Sequence, residues 1–156
     1  MQQKYPFKGL KKQKKSYSGK KKTHTFKVQA IIHAKTREIL SVCMCKGAVH
    51  DFELFKRNLN LIPKHSFVLA DKGYQGIYNI YANSLLPLKA KKGCTLDPEL
   101  KKYNREVNKI RIVVEHVFGA LKYFKILAER YRNRGKRLGL RFNLIAGFYN
   151  MELSKK

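Results

Sequence analysis

The chain has 156 residues, 44% of them hydrophobic, which suits one folded domain with a real core and excludes a disordered polyelectrolyte. Its 35 Lys and Arg stand against 10 Asp and Glu, a formal charge of +25; such an excess repels itself when compact and points to a polyanionic partner, nucleic acid first. With no apolar run near the ~20 residues of a membrane span and no apolar core in Met1–Lys15, no membrane partner is expected, and the cytoplasm is the expected location.

Between Lys11 and Lys22, seven lysines are broken only by Gln, Ser, Tyr and Gly. The stretch has no hydrophobic period and reads as a basic arm, residues 1–24, that is either simply solvated or follows a phosphate backbone. Thr25–His33 alternates Phe26, Val28 and Ala30 with polar neighbours, and Glu38–Cys45 is rich in strand formers. With Ala34–Arg37 as the turn, the two form a β-hairpin. The three cysteines, Cys43, Cys45 and Cys94, include no Cys-x-x-Cys pair, so neither a disulfide framework nor a zinc finger is indicated.

His50-Asp51 precedes Phe52, Leu54, Phe55 and Leu59, the pattern of a short helix with Asp51 near its N-cap, and Pro63 ends the segment. Ser66–Ala70 is a short apolar run that stops at Asp71-Lys72-Gly73-Tyr74-Gln75-Gly76. A buried strand ending in a glycine-bearing loop follows, with Asp71 at its C-terminal tip. Leu85–Leu88 is a further short strand, and Lys89–Gly93 a basic loop. Asp97-Pro98-Glu99 then opens a long helix, combining an Asp N-cap with Pro at the first helical position. This helix is expected to run to about Lys125, followed by a basic segment and a final apolar helix over Leu138–Leu153. The order of elements is that of an α/β fold.

At about 100° per residue, Ile110, Val113, Val114, Val117, Leu121 and Phe124 cover one face of the long helix, and Asn108, Arg111, Glu115 and Lys122 the other. Two readings of Glu115 stand side by side. It belongs to the wet side of an amphipathic helix, in a surface ion pair with Arg111, or it is one of a set of carboxylates that hold a hard divalent cation. Asp71 divides the same way, between ordinary turn chemistry after a strand and the second carboxylate of such a set. Clustered acids holding two cations are how in-line phosphoryl displacement proceeds without a covalent nucleophile.

The sequence resembles the DDE transposases of bacterial insertion sequences, specifically the insertion-sequence-five-like group. The blocks that carry the likeness are Tyr17-Ser18-Gly19-Lys20-Lys21-Lys22-Thr23-His24-Thr25, His50-Asp51-Phe52 and Leu69-Ala70-Asp71-Lys72-Gly73-Tyr74-Gln75-Gly76. Further on stand Glu129-Arg130-Tyr131-Arg132-Asn133-Arg134 and Leu140-Arg141-Phe142-Asn143-Leu144-Ile145-Ala146-Gly147. Arg111, Glu115 and Lys122 keep the spacing of the family signature, with Asn108 where that signature has Tyr. The likeness runs from about Tyr17 to Leu153.

The resemblance implies a ribonuclease-H-like mixed sheet with flanking helices over residues 25–153. It implies that Asp71 and Glu115 are the second and third members of a catalytic triad binding Mg²⁺ or Mn²⁺. Double-stranded DNA, transposon end and target, is the implied partner, with possible self-association. Arg111 and Lys122 are implied as phosphate contacts or supports of Glu115, with Lys20, Lys21, Lys22, Arg130, Arg132 and Arg134 as further DNA contacts. Asp51 is expected as a helix cap or a supporting residue, and His116 as a packing residue or DNA contact. The family's first catalytic Asp lies on the first strand of the sheet, ahead of the Tyr-Ser-Gly-Lys block, yet Met1–Tyr17 contains neither Asp nor Glu. The expectation is a truncated transposase domain lacking its first catalytic strand and inactive alone, either a decayed copy or the downstream frame of a split gene. Its rivals are a ribonuclease-H-like nuclease and a noncatalytic basic nucleic-acid-binding protein.

Overall fold

The computed structural model describes residues 2–6, 17–18, 23–90, 93–129, 131 and 137–155. Its centre is β3 (Thr23–Ile32), antiparallel on one edge to β4 (Ile39–Lys46) from Phe26↔Lys46 to Ile32↔Ile39. His33 N–H donates to Glu38 O at 2.9 Å and closes the expected hairpin over Ala34–Arg37. The opposite edge of β3 pairs, also antiparallel, with β1 (Gln2–Pro6) from Gln2↔Gln29 to Pro6↔Thr25, and β2 (Tyr17–Ser18) pairs antiparallel with the start of β3 at Thr23 and His24. Two strands thus fall within the segment read from sequence as a basic arm, whose residues 7–16 and 19–22 lie outside the described ones.

Alternation along β3 feeds two cores. Val28 and Ala30 join Val117, Phe118, Leu121, Leu127 and Phe142, with the Phe118 and Phe142 rings edge to face at 6.4 Å. Ile31 packs instead against Phe55, Ile62, Ala70, Tyr74, Ile77 and Leu86. The second core is closed by α1 (Asp51–Arg57), where the cap is His50: its Nδ1 accepts from Phe52 N–H at 3.3 Å. Asp51, expected at or near that cap, is the first helical residue, and its carboxylate is drawn instead to Lys27 on β3, 2.6 Å away.

A separate pair, β5 (Val68–Leu69) and β6 (Ser84–Leu85), runs parallel. The last residues of the expected Leu85–Leu88 strand leave the ladder because the buried Asn104 side chain takes over the backbone of Leu88, accepting from its N–H at 2.6 Å and donating to its oxygen at 3.0 Å. Helix α2 (Pro98–Leu121) begins after Asp97 as expected but stops short of Lys125. Leu121 and Leu127 share one core, and in an unbroken helix six residues would set them about 240° apart. A turn through Phe124 and the short α3 (Lys125–Ala128) bring both inward. Helix α4 (Leu138–Leu153) covers the first core with Leu138, Phe142, Ile145 and Ala146. Mixed α/β architecture is what the order of elements predicted.

Candidate active site

Asp71 stands where β5 ends. The backbone turns at once, Tyr74 N–H donating to Asp71 O at 3.0 Å, while Asp71 Oδ1 accepts from Lys72 N–H at 2.7 Å. Tyr74 anchors this loop: its ring is buried against Phe55, edge to face at 5.8 Å, and its hydroxyl accepts from Gln29 Nε2 at 3.1 Å. Gly76 leaves the loop at φ +86°, a left-handed conformation that favours glycine. One Asp71 oxygen is thereby occupied by ordinary turn chemistry, and the other is turned outward.

That outward oxygen meets α2. Arg111 reaches Asp71 Oδ2 with one terminal nitrogen and Glu115 Oε1 with the other, both at 3.5 Å. Helical spacing sets the second contact, because residues four apart share a face; the first is tertiary and not visible in the sequence. The guanidinium is mostly buried, at 20% exposure, while each carboxylate is 48% exposed. At 3.5 Å these are loose pairs, each contributing no more than about 1 kcal/mol. The two acids therefore lie on either side of one cation and remain open to solvent.

Two half-exposed carboxylates from different elements suit a hard divalent cation, which takes one or two protein carboxylates and completes its shell with water and phosphate oxygens. Among the described residues no group of three or more His, Cys, Asp or Glu could hold a metal. Asp71 and Glu115 fit a divalent cation as part of a donor set.

Of the other residues singled out from the sequence, Lys122 is exposed at the C-cap of α2, two turns beyond Glu115, and no ion pair joins it to either acid. His116 is exposed on α2, and Asp51 lies by Lys27. Lys20, Lys21, Lys22, Arg130, Arg132 and Arg134 lie outside the described residues. Sequence reading missed Gln29 and Tyr74, which brace the loop after Asp71. The Tyr74 signal was an aromatic inside a turn, where solvation alone gives no reason for one. It also missed Lys27, buried on β3 with its ammonium on Asp51 and on Val49 O.

The outer side of α2 is basic, with Lys101, Lys102, Arg105 and Lys109 exposed along it. No helix among the described residues is long and apolar enough to cross a membrane.

Comparison with known proteins gives the same direction. The chain is 53% identical over 146 residues to a protein of Microchaete diplosiphon described as a probable transposase for insertion sequence element IS702, which covers 94% of this chain and 53% of the relative. The chain thus spans about half the length of that relative. No solved structure matches it. Residues 4–150 match the family described as DDE superfamily endonuclease, and the chain belongs to that family.

Proposed function

We propose that this chain is the larger part of a transposase catalytic domain of ribonuclease-H-like type, residues 25–153 with residues 1–24 as a basic arm, and that Asp71 and Glu115 are two members of its acid triad. The single observation that carries the reading is Arg111 holding these two carboxylates from β5 and α2 on either side of one cationic group. A divalent cation, Mg²⁺ or Mn²⁺, would be held by the same two carboxylates. When bound, such cations stabilise the charge that builds on the attacking and leaving oxygens of an in-line displacement at phosphorus.

The chain's own residues have three tasks in this account. Asp71 and Glu115 are half-exposed, so they can be reached by a phosphate-bound cation. Arg111 keeps the two from repelling each other in the free protein and, once they turn to a metal, offers its donors to a DNA phosphate. The exposed lysines and arginines of α2, with Lys122 and the basic stretches outside the described residues, contribute sequence-independent affinity for double-stranded DNA. The reaction of the complete enzyme is cleavage of DNA by water and joining of the freed 3′-hydroxyl to target DNA, by an enzyme that self-associates on paired ends. With two of three acids, this chain alone binds DNA and does not transpose.

A noncatalytic basic binding protein is the second reading, because an arginine between two acids is also an ordinary structural ion pair. The experiment is Mn²⁺-dependent nicking of supercoiled plasmid, by this chain and by a version extended upstream with an Asp-bearing first strand. Both are compared with Asp71→Ala and Glu115→Ala. Nicking by the extended protein alone, abolished by either substitution, is the expected result. A folded, extended protein that binds DNA and never nicks would overturn the assignment and leave the binding reading.

A further inference from the structure

Helix α4 is apolar all round. Leu138, Phe142 and Ile145 lie buried in the first core. At about 100° per residue, Leu140, Leu144, Phe148 and Met151 fall within about 80° of one another on the opposite side, and each is between 47% and 58% exposed. The rotation of the helix is fixed. Asn150 accepts from Ile39 N–H and donates to Ile39 O, both at 2.9 Å, which ties α4 to β4, and Arg141 donates to the Tyr131 hydroxyl. A helix with two apolar faces is ordinarily covered on both. Among the described residues, one face of α4 is covered and the other is bare.

The composition of the helix says what suits the bare face. In a chain with 35 Lys and Arg, α4 carries one base, Arg141, and one acid, Glu152. DNA is held through Lys and Arg on its phosphates, and the stripe offers neither. Two copies of a +25 chain repel wherever their basic surfaces meet, so they can approach only along a strip free of positive charge.

The stripe is also self-complementary. Gly147 lies beside it, and a Cβ built there would meet nothing within 4 Å, which leaves a notch next to Leu144. The stripe from Leu140 to Met151 is centred between Ile145 and Ala146. When two copies pair antiparallel about that centre, each Leu144 falls opposite the partner's Gly147, and each Leu140 opposite the partner's Met151. Two-fold antiparallel pairing brings like sides of the helices together, and this register then sets Glu152 between the partner's Arg137 and Arg141. In the single chain Glu152 pairs with Lys155 at its own helix end, 3.2 Å away and exposed.

We propose that the bare face of α4 is an interface between two copies of this chain, paired antiparallel about a two-fold axis with Leu144 seated on the partner's Gly147. It gives the self-association proposed above a surface, and it rests on that reading only for the use of the pair. Two helices of 16 residues, each about 24 Å long, bury less than the roughly 1,200 Å² of a standard stable interface. The pair therefore forms at roughly tens of micromolar and not at nanomolar concentration.

The test is sedimentation equilibrium of the full chain from about 2 to about 200 μM, in about 0.5 M salt to screen the charge of the two copies. A monomer–dimer equilibrium that tightens from about 0.1 to about 0.5 M salt is the expected result. Leu144→Asp should abolish it. Gly147→Leu adds apolar surface but fills the notch, and should weaken it roughly tenfold or more. Circular dichroism melts check the folding of both variants. The new side chain of Gly147→Leu meets nothing in the single chain and replaces a helical glycine, so its Tm should be unchanged or higher; this variant decides alone if Leu144→Asp does not fold. A chain that stays monomeric at the highest concentration, whether α4 is then found against DNA or against nothing, would overturn the proposal. Dimers that survive Leu144→Asp, or that Gly147→Leu strengthens as unspecific apolar adhesion would, also overturn it. The Asp71→Asn, Glu115→Gln variant should dimerise as the wild type does. A failure of nicking therefore leaves the pairing intact, and a monomeric chain leaves the acid pair intact.

Discussion

Removing Asp51 leaves Lys27 as a charge buried in the centre of the sheet. Lys27 is 7% exposed at its side chain, with its ammonium 2.6 Å from Asp51 and also on the carbonyl of Val49. Breaking a fully buried pair costs about 3–5 kcal/mol. Asp51 is 40% open to solvent, so water reaches the ammonium once the carboxylate is gone, and Asp51→Ala should cost about 1–2 kcal/mol. For a domain of this size that lowers Tm by about 2–8 °C. The Lys27→Met, Asp51→Ala double variant, which removes both charges and keeps the apolar stem, should recover most of the loss. Far-UV circular dichroism melts of the four proteins form the double-mutant cycle. If Asp51 acted as the cap of α1, the double variant would stay as unstable as Asp51→Ala, and the ion-pair account would be wrong.

Gly47 is required by contact, since a Cβ there would lie 2.0 Å from Thr25 Oγ1 and 2.6 Å from Thr25 O. Gly47→Ala should cost about 1–3 kcal/mol in urea unfolding, and an unchanged midpoint would contradict the packing. Asn104→Ala strips the backbone of Leu88 of both partners; a loss of about 1–3 kcal/mol, with faster hydrogen exchange at Leu88, is expected, and unchanged exchange would refute it. Burial pushes the Cys45 thiol above its ordinary range, opposed in part by Lys27. Its alkylation should therefore rise at higher pH than that of a free thiol, and further still in Lys27→Met, where the lowering charge is gone; mass-resolved alkylation from neutral to alkaline pH reads this.

Local signals carried far into this fold. The hairpin around Ala34–Arg37, the start of α2 at Asp97-Pro98 and the span of α4 each rest on neighbours in the sequence, and each stands where its pattern put it. What failed depended on distant partners. Leu86–Leu88 had strand composition, but a side chain from α2 took its hydrogen bonds, and the end of α2 was set by the need of Leu127 to share a core with Leu121. Asp51 has the composition of a cap, but His50 beside it takes that place, and Lys27 looks like solvent-facing alternation because its partner lies on another element. The candidate site divides in the same way. The Arg111–Glu115 pair was readable from helical spacing, whereas its junction with Asp71 and the bracing by Gln29 and Tyr74 are products of tertiary placement.

A divalent-cation site formed jointly by Asp71 and Glu115, as proposed above, is read out by paramagnetic broadening of amide signals with millimolar Mn²⁺. The account predicts broadening centred on residues 71–73 and 111–115, lost in the Asp71→Asn, Glu115→Gln variant. Broadening centred on another acidic stretch such as Asp97–Glu99, or unchanged by the double substitution, would contradict it.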